Sequence, residues 1–179
     1  MSLTLLIGGA RAGKSALATR IAKTWGTPVT VIATAEPRDD EMAERIARHR
    51  VERPAEWEII EEPLALAAAL TKPDPTHGAI VDCLTLWTSN LLETGAPDDA
   101  IFASASEAAS IASGRAAPVI AITNEVGLGI VPTNATARRY RDVLGRVNAA
   151  FAGVAAHAYL VVAGRLLELH DATTLPNDR

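Results

Sequence analysis

Eight consecutive residues, Gly8-Gly9-Ala10-Arg11-Ala12-Gly13-Lys14-Ser15, set glycines around a short run that closes on a lysine and a hydroxyl side chain. Glycines in such a run let the backbone curl until successive N–H groups point inward, and a following helix adds the positive end of its dipole. A polyphosphate is the guest that this geometry fits. Lys14 is placed to reach β- and γ-phosphates, and the Ser15 hydroxyl to ligate a Mg²⁺ ion carried in by a nucleotide. The pattern G-x-x-x-x-G-K-[ST] is met without a mismatch. Its context is also the required one: Leu3, Leu5, Leu6 and Ile7 precede it as a strand, and residues 15–24 suit a helix. The bland alternative is a glycine-rich turn between strand and helix.

Two further segments carry chemistry. Ala79-Ile80-Val81-Asp82 ends an apolar run in a carboxylate, the form that holds Mg²⁺ directly or through water beside a phosphate loop. The competing account is that Asp82 caps a helix over residues 84–92. The stretch from Asp39 to Pro54 has an acidic start and a basic end, which suits a helix dipole. Met42, Ile46 and His49 are spaced by four and three, so His49 projects from about the same face as two apolar anchors, inward or into a cleft. Arg45, Arg48, Arg50 and Arg53 crowd around it, and Pro54 pushes Arg53 out of helical geometry. The expected result is an electropositive pocket in which a neutral imidazole is a nucleophile among phosphate-binding cations. A structural histidine and a solvated basic face are the plainer readings. His77, His157 and His170 lack such neighbours and are read as structural.

The elements that must position these groups follow from hydrophobic patterning. Apolar runs at residues 3–7, 29–33, 79–82, 119–123 and 158–162 alternate with helical stretches, which predicts βαβ units and a mostly parallel, doubly wound sheet with helices on both faces. A sixth strand is expected at residues 57–60, with Pro63 in the first turn of a helix that runs to Leu70. In such sheets ligands bind outside the carboxyl ends of the strands. Those ends carry the phosphate loop, then Thr34, Ala35 and Glu36, then Asp82, then the glycine-spaced loop that opens with Asn124 and Glu125.

Bulk composition limits the partners. A chain of 179 residues builds one domain, expected over residues 1–170, with a polar tail from residue 171 to residue 179. A net charge of −4 and only 4% aromatic residues argue against nucleic acid as a partner. Cys83 is the only cysteine, which suits a reducing compartment. No apolar run approaches the ~18 residues of a membrane span. A cytoplasmic protein is expected.

Several blocks together resemble one family. They are the loop at residues 8–15; Ile32-Ala33-Thr34-Ala35; Asp40-Glu41-Met42 with Arg45-Ile46, His49, Arg53-Pro54 and Trp57; Asp82-Cys83-Leu84-Thr85-Leu86-Trp87 with Asn90-Leu91-Leu92; and Asn124-Glu125-Val126-Gly127 with Gly129-Ile130-Val131-Pro132. In this order, across residues 3–163, they resemble the bifunctional adenosylcobinamide kinase/adenosylcobinamide-phosphate guanylyltransferase family of cobalamin biosynthesis. The resemblance implies a phosphate-loop NTPase fold of the RecA-like kind, and a two-stage transferase. A nucleoside triphosphate, ATP or GTP, phosphorylates adenosylcobinamide. GTP then gives GMP to adenosylcobinamide phosphate through a GMP-histidine, with pyrophosphate released. It assigns the histidine role to His49, catalysis also to Lys14, and nucleotide contacts to residues 8–15, Thr34, Ala35, Glu36, Arg50, Val51, Glu52, Arg53, Glu61 and Asp82. Mg²⁺ would sit on Ser15 and Asp82, and the chain would form a homo-oligomer, a trimer in the family. This chain has Ala12 where the family often has serine, and Glu58-Ile59-Ile60 where a threonine is common. The alternatives are a guanylyltransferase or small-molecule kinase with one activity, and a GTP-binding switch that transfers nothing.

Overall fold

Seven strands form one sheet in the order β3-β2-β4-β5-β1-β6-β7 in a computed structural model that describes residues 3–171. In chain order the elements are β1 (Leu3–Gly8), α1 (Lys14–Ala22), β2 (Val29–Ala33), α2 (Asp40–Glu52), β3 (Glu58–Glu61), α3 (Leu66–Thr71) and β4 (Gly78–Asp82). They continue with α4 (Leu84–Glu93), α5 (Asp98–Gly114), β5 (Val119–Asn124), α6 (Ala135–Ala152), β6 (His157–Val162) and β7 (Arg165–Leu169). All neighbouring pairs are parallel except β6 and β7. From β1 the chain crosses to β2 and the edge strand β3, returns inward through β4 and β5, and leaves on the other side of β1 as β6 and β7, and the expected α/β architecture holds. All but one residue of the expected tail lies outside the described residues.

Strand alternation sorts the core into two layers. Leu3, Leu5, Ile32, Ala79, Val81, Val119 and Ala121 pack against α3, α4, α5 and α6, where Trp87, Leu144, Val147 and Phe151 are buried. Leu6, Val31, Ile80, Ile120 and Ile122 face the other way, onto Leu17, Ala18 and Ala22 of α1. Both faces of the central strands are therefore apolar, as parallel sheets require. The short helix α3 begins at Leu66 rather than in the turn at Pro63. The cause is Glu62, whose Oε1 accepts from the N–H groups of Leu64 and Ala65 at 3.2 and 2.9 Å and holds that stretch as a turn. Strand β7 has no counterpart in the hydrophobic pattern, because every one of its residues is exposed and only β6 pairs with it.

The phosphate loop is fitted to this frame at two glycines. A Cβ on Gly8 would sit 2.3 Å from the carbonyl oxygen of Val161 on β6, so only glycine allows β1 and β6 to pair at that register. Gly13 has φ 98°, a left-handed conformation that side chains disfavour, and it starts α1. The turn between β6 and β7 braces the loop, since Gly164 N–H donates to the Ala12 carbonyl at 2.9 Å. The substitution Gly8→Ala must push backbone against backbone. A lowered thermal unfolding midpoint together with weakened nucleotide binding is the expected result, measured by calorimetry and by titration.

Candidate functional site

A cleft of about 400 Å³ opens at the carboxyl ends of β1, β4 and β5, and α2 stands across it. Its lining brings together Ala10, Arg11, Ala12, Gly13, Lys14 and Ser15 from the loop, His49 and Glu52 from α2, and Asp82 from the end of β4. All of these were expected from sequence. Gly8 and Gly9 act from behind: Lys14 is buried, and its Nζ donates to their carbonyl oxygens at 2.9 and 2.7 Å. Burial holds the Lys14 ammonium below its ordinary pKa, with Cys83 and Asp82 pulling the other way and Arg45 adding to the depression.

Helix α2 is attached by polar contacts. Asp39 caps it, accepting from Met42 N–H at 2.7 Å, and none of its residues is buried. After Glu52 the chain turns extended at Arg53 (φ −87°, ψ 147°), as Pro54 demands. That bend delivers the Arg53 guanidinium to Asp82, where Nη2 donates to Oδ2 at 2.7 Å. The same Oδ2 lies 3.6 Å from His49 Nδ1. Asp82 therefore caps no helix; α4 has Cys83 at its N-cap position, without a side-chain bond. Burial pushes the Asp82 carboxyl up, but His49 and Arg53 together outweigh it, and the group lies below its ordinary range. The folded state thus prefers the ionised carboxylate. Its contribution to stability is full above the ordinary aspartate value of ~3.9 and is lost as pH falls through the lowered native value. The gap in urea midpoint between the parent and Asp82→Asn is expected to be wide at pH 7 and to close on acidification below pH ~4.

The charge in the cleft differs from the expected electropositive pocket. Arg11, Lys14, Arg45 and Arg48 share it with Glu41, Glu44, Glu52 and Asp82. Helical spacing explains this, because 41, 44, 45, 48, 49 and 52 fall on one face of α2 and bring acids along with arginines. The same three- and four-residue steps could have identified Glu41, Glu44, Arg45 and Arg48 as cleft residues.

On the other side of His49 a smaller cavity, about 50 Å³, is lined by Met42, Ile46, Ala35, Glu61, Arg53 and Leu86 among others. His49 stands at the boundary of the two spaces. Arg50 is not beside it but paired with Glu61 at 2.5 Å, and both side chains are exposed. Glu36 is likewise paired, with Arg38 at 2.6 Å. Thr34 is fully buried; its hydroxyl donates to the Cys83 carbonyl at 2.7 Å and accepts from Cys83 N–H at 2.9 Å. It fixes the end of β4 and does not line the cleft. Val51 is 86% exposed and lines neither space. Cys83 lines both, and burial, reinforced by Asp82, pushes its thiol up to about 11, so it stays protonated at neutral pH. Two cleft residues come from β5, Ile122 and Asn124.

Comparison with known proteins fits this geometry. A solved structure of an ATPase from the type III secretion system of pathogenic bacteria superposes with a TM-score of 0.57 at 15% identity, over 89% of this chain and 50% of that one. The chain spans half of that ATPase, and the likeness shows a phosphate-loop NTPase fold. Sequence relatives are closer. The bifunctional adenosylcobalamin biosynthesis protein CobP of Pseudomonas aeruginosa is 44% identical over 89% of this chain and 92% of its own length. The bifunctional adenosylcobalamin biosynthesis proteins CobU of Salmonella typhimurium and Escherichia coli are 37% and 35% identical, each over 90% of this chain and 96% of their own. Residues 4–169 match the family described as cobinamide kinase / cobinamide phosphate guanyltransferase. With a family match over nearly the whole chain and relatives at 35 to 44% identity, the chain belongs to the cobinamide kinase / cobinamide phosphate guanyltransferase family of transferases.

Proposed function

We propose that this chain performs both reactions of its family in the one cleft: phosphorylation of the adenosylcobinamide hydroxyl, then transfer of GMP from GTP to the resulting phosphate. The observation that carries the proposal is that the phosphate loop and His49 line the same space. In the first reaction the acceptor oxygen bonds to the γ-phosphorus of ATP or GTP, the bond to the β-bridging oxygen breaks, and the hydroxyl proton is lost to solvent. Loop N–H groups and Lys14 hold the phosphates while charge shifts to the leaving diphosphate. In the second, an imidazole nitrogen of His49 bonds to the α-phosphorus of GTP and pyrophosphate leaves. A phosphate oxygen of adenosylcobinamide phosphate then attacks that phosphorus, and the P–N bond breaks to give adenosylcobinamide-GDP and free His49.

Asp82 gives this chemistry its direction. With its proton on Nδ1 facing the carboxylate, the ring presents the Nε2 lone pair as the nucleophile. The donors available to Mg²⁺ fit an ion that arrives on the nucleotide. Among the described residues no group of three His, Cys, Asp or Glu side chains could hold a metal alone, and Mg²⁺ takes most of its ligands from phosphate and water. The Ser15 hydroxyl and Asp82 Oδ1, which has no hydrogen-bond partner among the described residues, are the groups that would hold it. Bound there, Mg²⁺ would neutralise phosphate charge.

Glu61, Arg53 and Ala35, which line the smaller cavity, are further nucleotide contacts in this reading, with Arg50 joined to them through its pair with Glu61. Thr34, Glu36 and Val51 keep the assignment by resemblance, with Thr34 acting through the Cys83 main chain. No described helix is long and apolar enough to cross a membrane. We place the protein in the cytoplasm and read it as a homo-oligomer, a reading supported by exposed Leu166, Leu167 and Leu169 on the edge strand β7, with the trimer resting on the resemblance alone. Incubation with GTP labelled in its α-phosphate is the direct test. A phosphoramidate is expected, so the label is stable to alkali and lost in acid. Absence of any label, with cobinamide still phosphorylated, would leave a kinase alone.

A further inference from the structure

Asn124 is a neutral polar group in the cleft that the reactions above leave without a task. It ends β5, the strand that lies between the loop strand β1 and the acid-tipped strand β4, and it pairs in register with Gly8. Its main chain is clamped on both sides by buried side chains. Thr85 Oγ1 accepts from Asn124 N–H at 2.8 Å, and Asn148 Nδ2 donates to the Asn124 carbonyl at 3.0 Å. Asn148 is itself fixed, because its Oδ1 accepts from Thr123 Oγ1 at 2.6 Å. Thr85, Thr123 and Asn148 are all buried. A short side chain on so rigid a base has little freedom, and this one lines the cleft on the same strand face as Ile122.

Its neighbour is Lys14. The Gly8 carbonyl accepts both from Lys14 Nζ, at 2.9 Å, and from Glu125 N–H, at 3.3 Å, so the residue after Asn124 shares an acceptor with the ammonium. The Asn124 amide has no hydrogen-bond partner among the described residues. It is a neutral donor on a clamped backbone, in the same cleft as the lysine placed to serve the outer phosphates, whereas the arginines of α2 are long side chains on an unburied helix.

We propose that the Asn124 side-chain NH₂ donates a hydrogen bond to the terminal phosphate of a bound nucleoside triphosphate and is a catalytic residue of phosphoryl transfer but not of guanylyl transfer. In phosphoryl transfer the bond that breaks joins the γ-phosphorus to its bridging oxygen, and charge spreads over the γ-oxygens the amide touches. In guanylyl transfer the α-phosphorus changes partners and the γ-phosphate leaves as a spectator within pyrophosphate. The assignment of two reactions rests on the function proposed above; the contact itself does not.

The test separates the two. Titration with GDP and with guanosine 5′-β,γ-imidotriphosphate should show that Asn124→Ala weakens the triphosphate analogue about tenfold and GDP less than about twofold, the loss of one hydrogen bond to a charged oxygen. N124D keeps the shape and the clamped backbone but replaces the donor with a carboxylate. It should weaken the triphosphate analogue more than N124A does, a ranking that a merely structural role would not produce. In turnover assays at saturating nucleotide N124A should lower kcat for cobinamide phosphorylation about 10- to 100-fold and leave the rate of self-labelling by GTP within about threefold. Equal weakening of GDP and the triphosphate analogue, or no weakening of either, overturns the contact. Equal loss of both reactions with selective triphosphate weakening overturns the division of labour. A parent protein that binds both nucleotides yet never phosphorylates cobinamide refutes the proposed function and leaves the contact to be judged by the titrations.

Discussion

His49→Ala abolishes covalent capture of GMP while phosphorylation of adenosylcobinamide persists; this is the expected result with the largest effect. Without the imidazole there is no nitrogen to bond to the α-phosphorus. Neither Cys83 nor Lys14, which also line the cleft, replaces it: Cys83 is held as a neutral thiol by burial and by Asp82, and Lys14 Nζ is directed to the carbonyls of Gly8 and Gly9. Labelling should fall below detection rather than by a modest factor. The fold should survive, for two reasons. None of the residues of α2 is buried, so no core cavity opens. Asp82 also keeps its 2.7 Å bond from Arg53 when His49 is gone, so the buried carboxylate is not left unpaired. Asn at position 49 gives the companion measurement, since it restores a polar group near Asp82 without a nucleophile. Label retained in either variant would move the covalent role to another residue.

Lys14→Ala is expected to damage both reactions, each by about 10²- to 10³-fold in kcat/KM, the size seen when one preorganised donor is removed from a developing charge. The effect differs in kind from that at His49. In the proposed function Lys14 serves the phosphates whether the γ- or the α-phosphorus reacts, so neither step is expected to be spared. The geometry also predicts that Lys14→Arg fails to rescue. The ammonium is buried and donates to two carbonyls, of Gly8 and Gly9, at 2.9 and 2.7 Å, a pocket for a compact point charge. A planar guanidinium with its donors in a fixed fork does not fit it. The measurement is a pair of steady-state assays, phosphorylation and label transfer, on the same preparations. A selective loss in one of them would contradict the shared anchor.

The contrast between the two variants also bears on motion. Helix α2 meets the body through Arg50–Glu61, His49–Asp82 and, just past its end, Arg53–Asp82, and it contributes nothing to the core. An element held by ion pairs shifts at lower cost than one held by buried apolar area. That suits the proposed role of His49, which serves only one of the two reactions.

Much of this arrangement was legible in the sequence, and the reason is locality. The phosphate loop is defined by adjacent residues whose backbone freedom and side-chain types act within a few bonds of each other. Strand β2 has the bounds that its apolar run predicts, and β1, β4, β5 and β6 differ by one residue at an end. The extended turn at Arg53 follows from Pro54 alone. The failures are non-local. Strand β7 pairs only with β6 and buries nothing, so no periodic signal marks it. The turn at Pro63 is the local exception, set by the adjacent side chain of Glu62, which competes for the backbone two and three residues on. The expected electropositive pocket came from counting arginines; the fold gives Arg50 to Glu61 and Arg53 to Asp82, and brings three glutamates of α2 into the cleft.

What the sequence determined by itself was a nucleoside-triphosphate site on a parallel sheet, with His49 singled out by its spacing. Only the tertiary structure decided that His49 faces Asp82, that Lys14 rests on the carbonyls of its own loop, and that Asn124 is aimed into the same cleft. Those relations depend on sheet register and on where α2 crosses the strand ends. Both are set by packing between segments distant in the chain, and periodicity within any one segment carries no record of them.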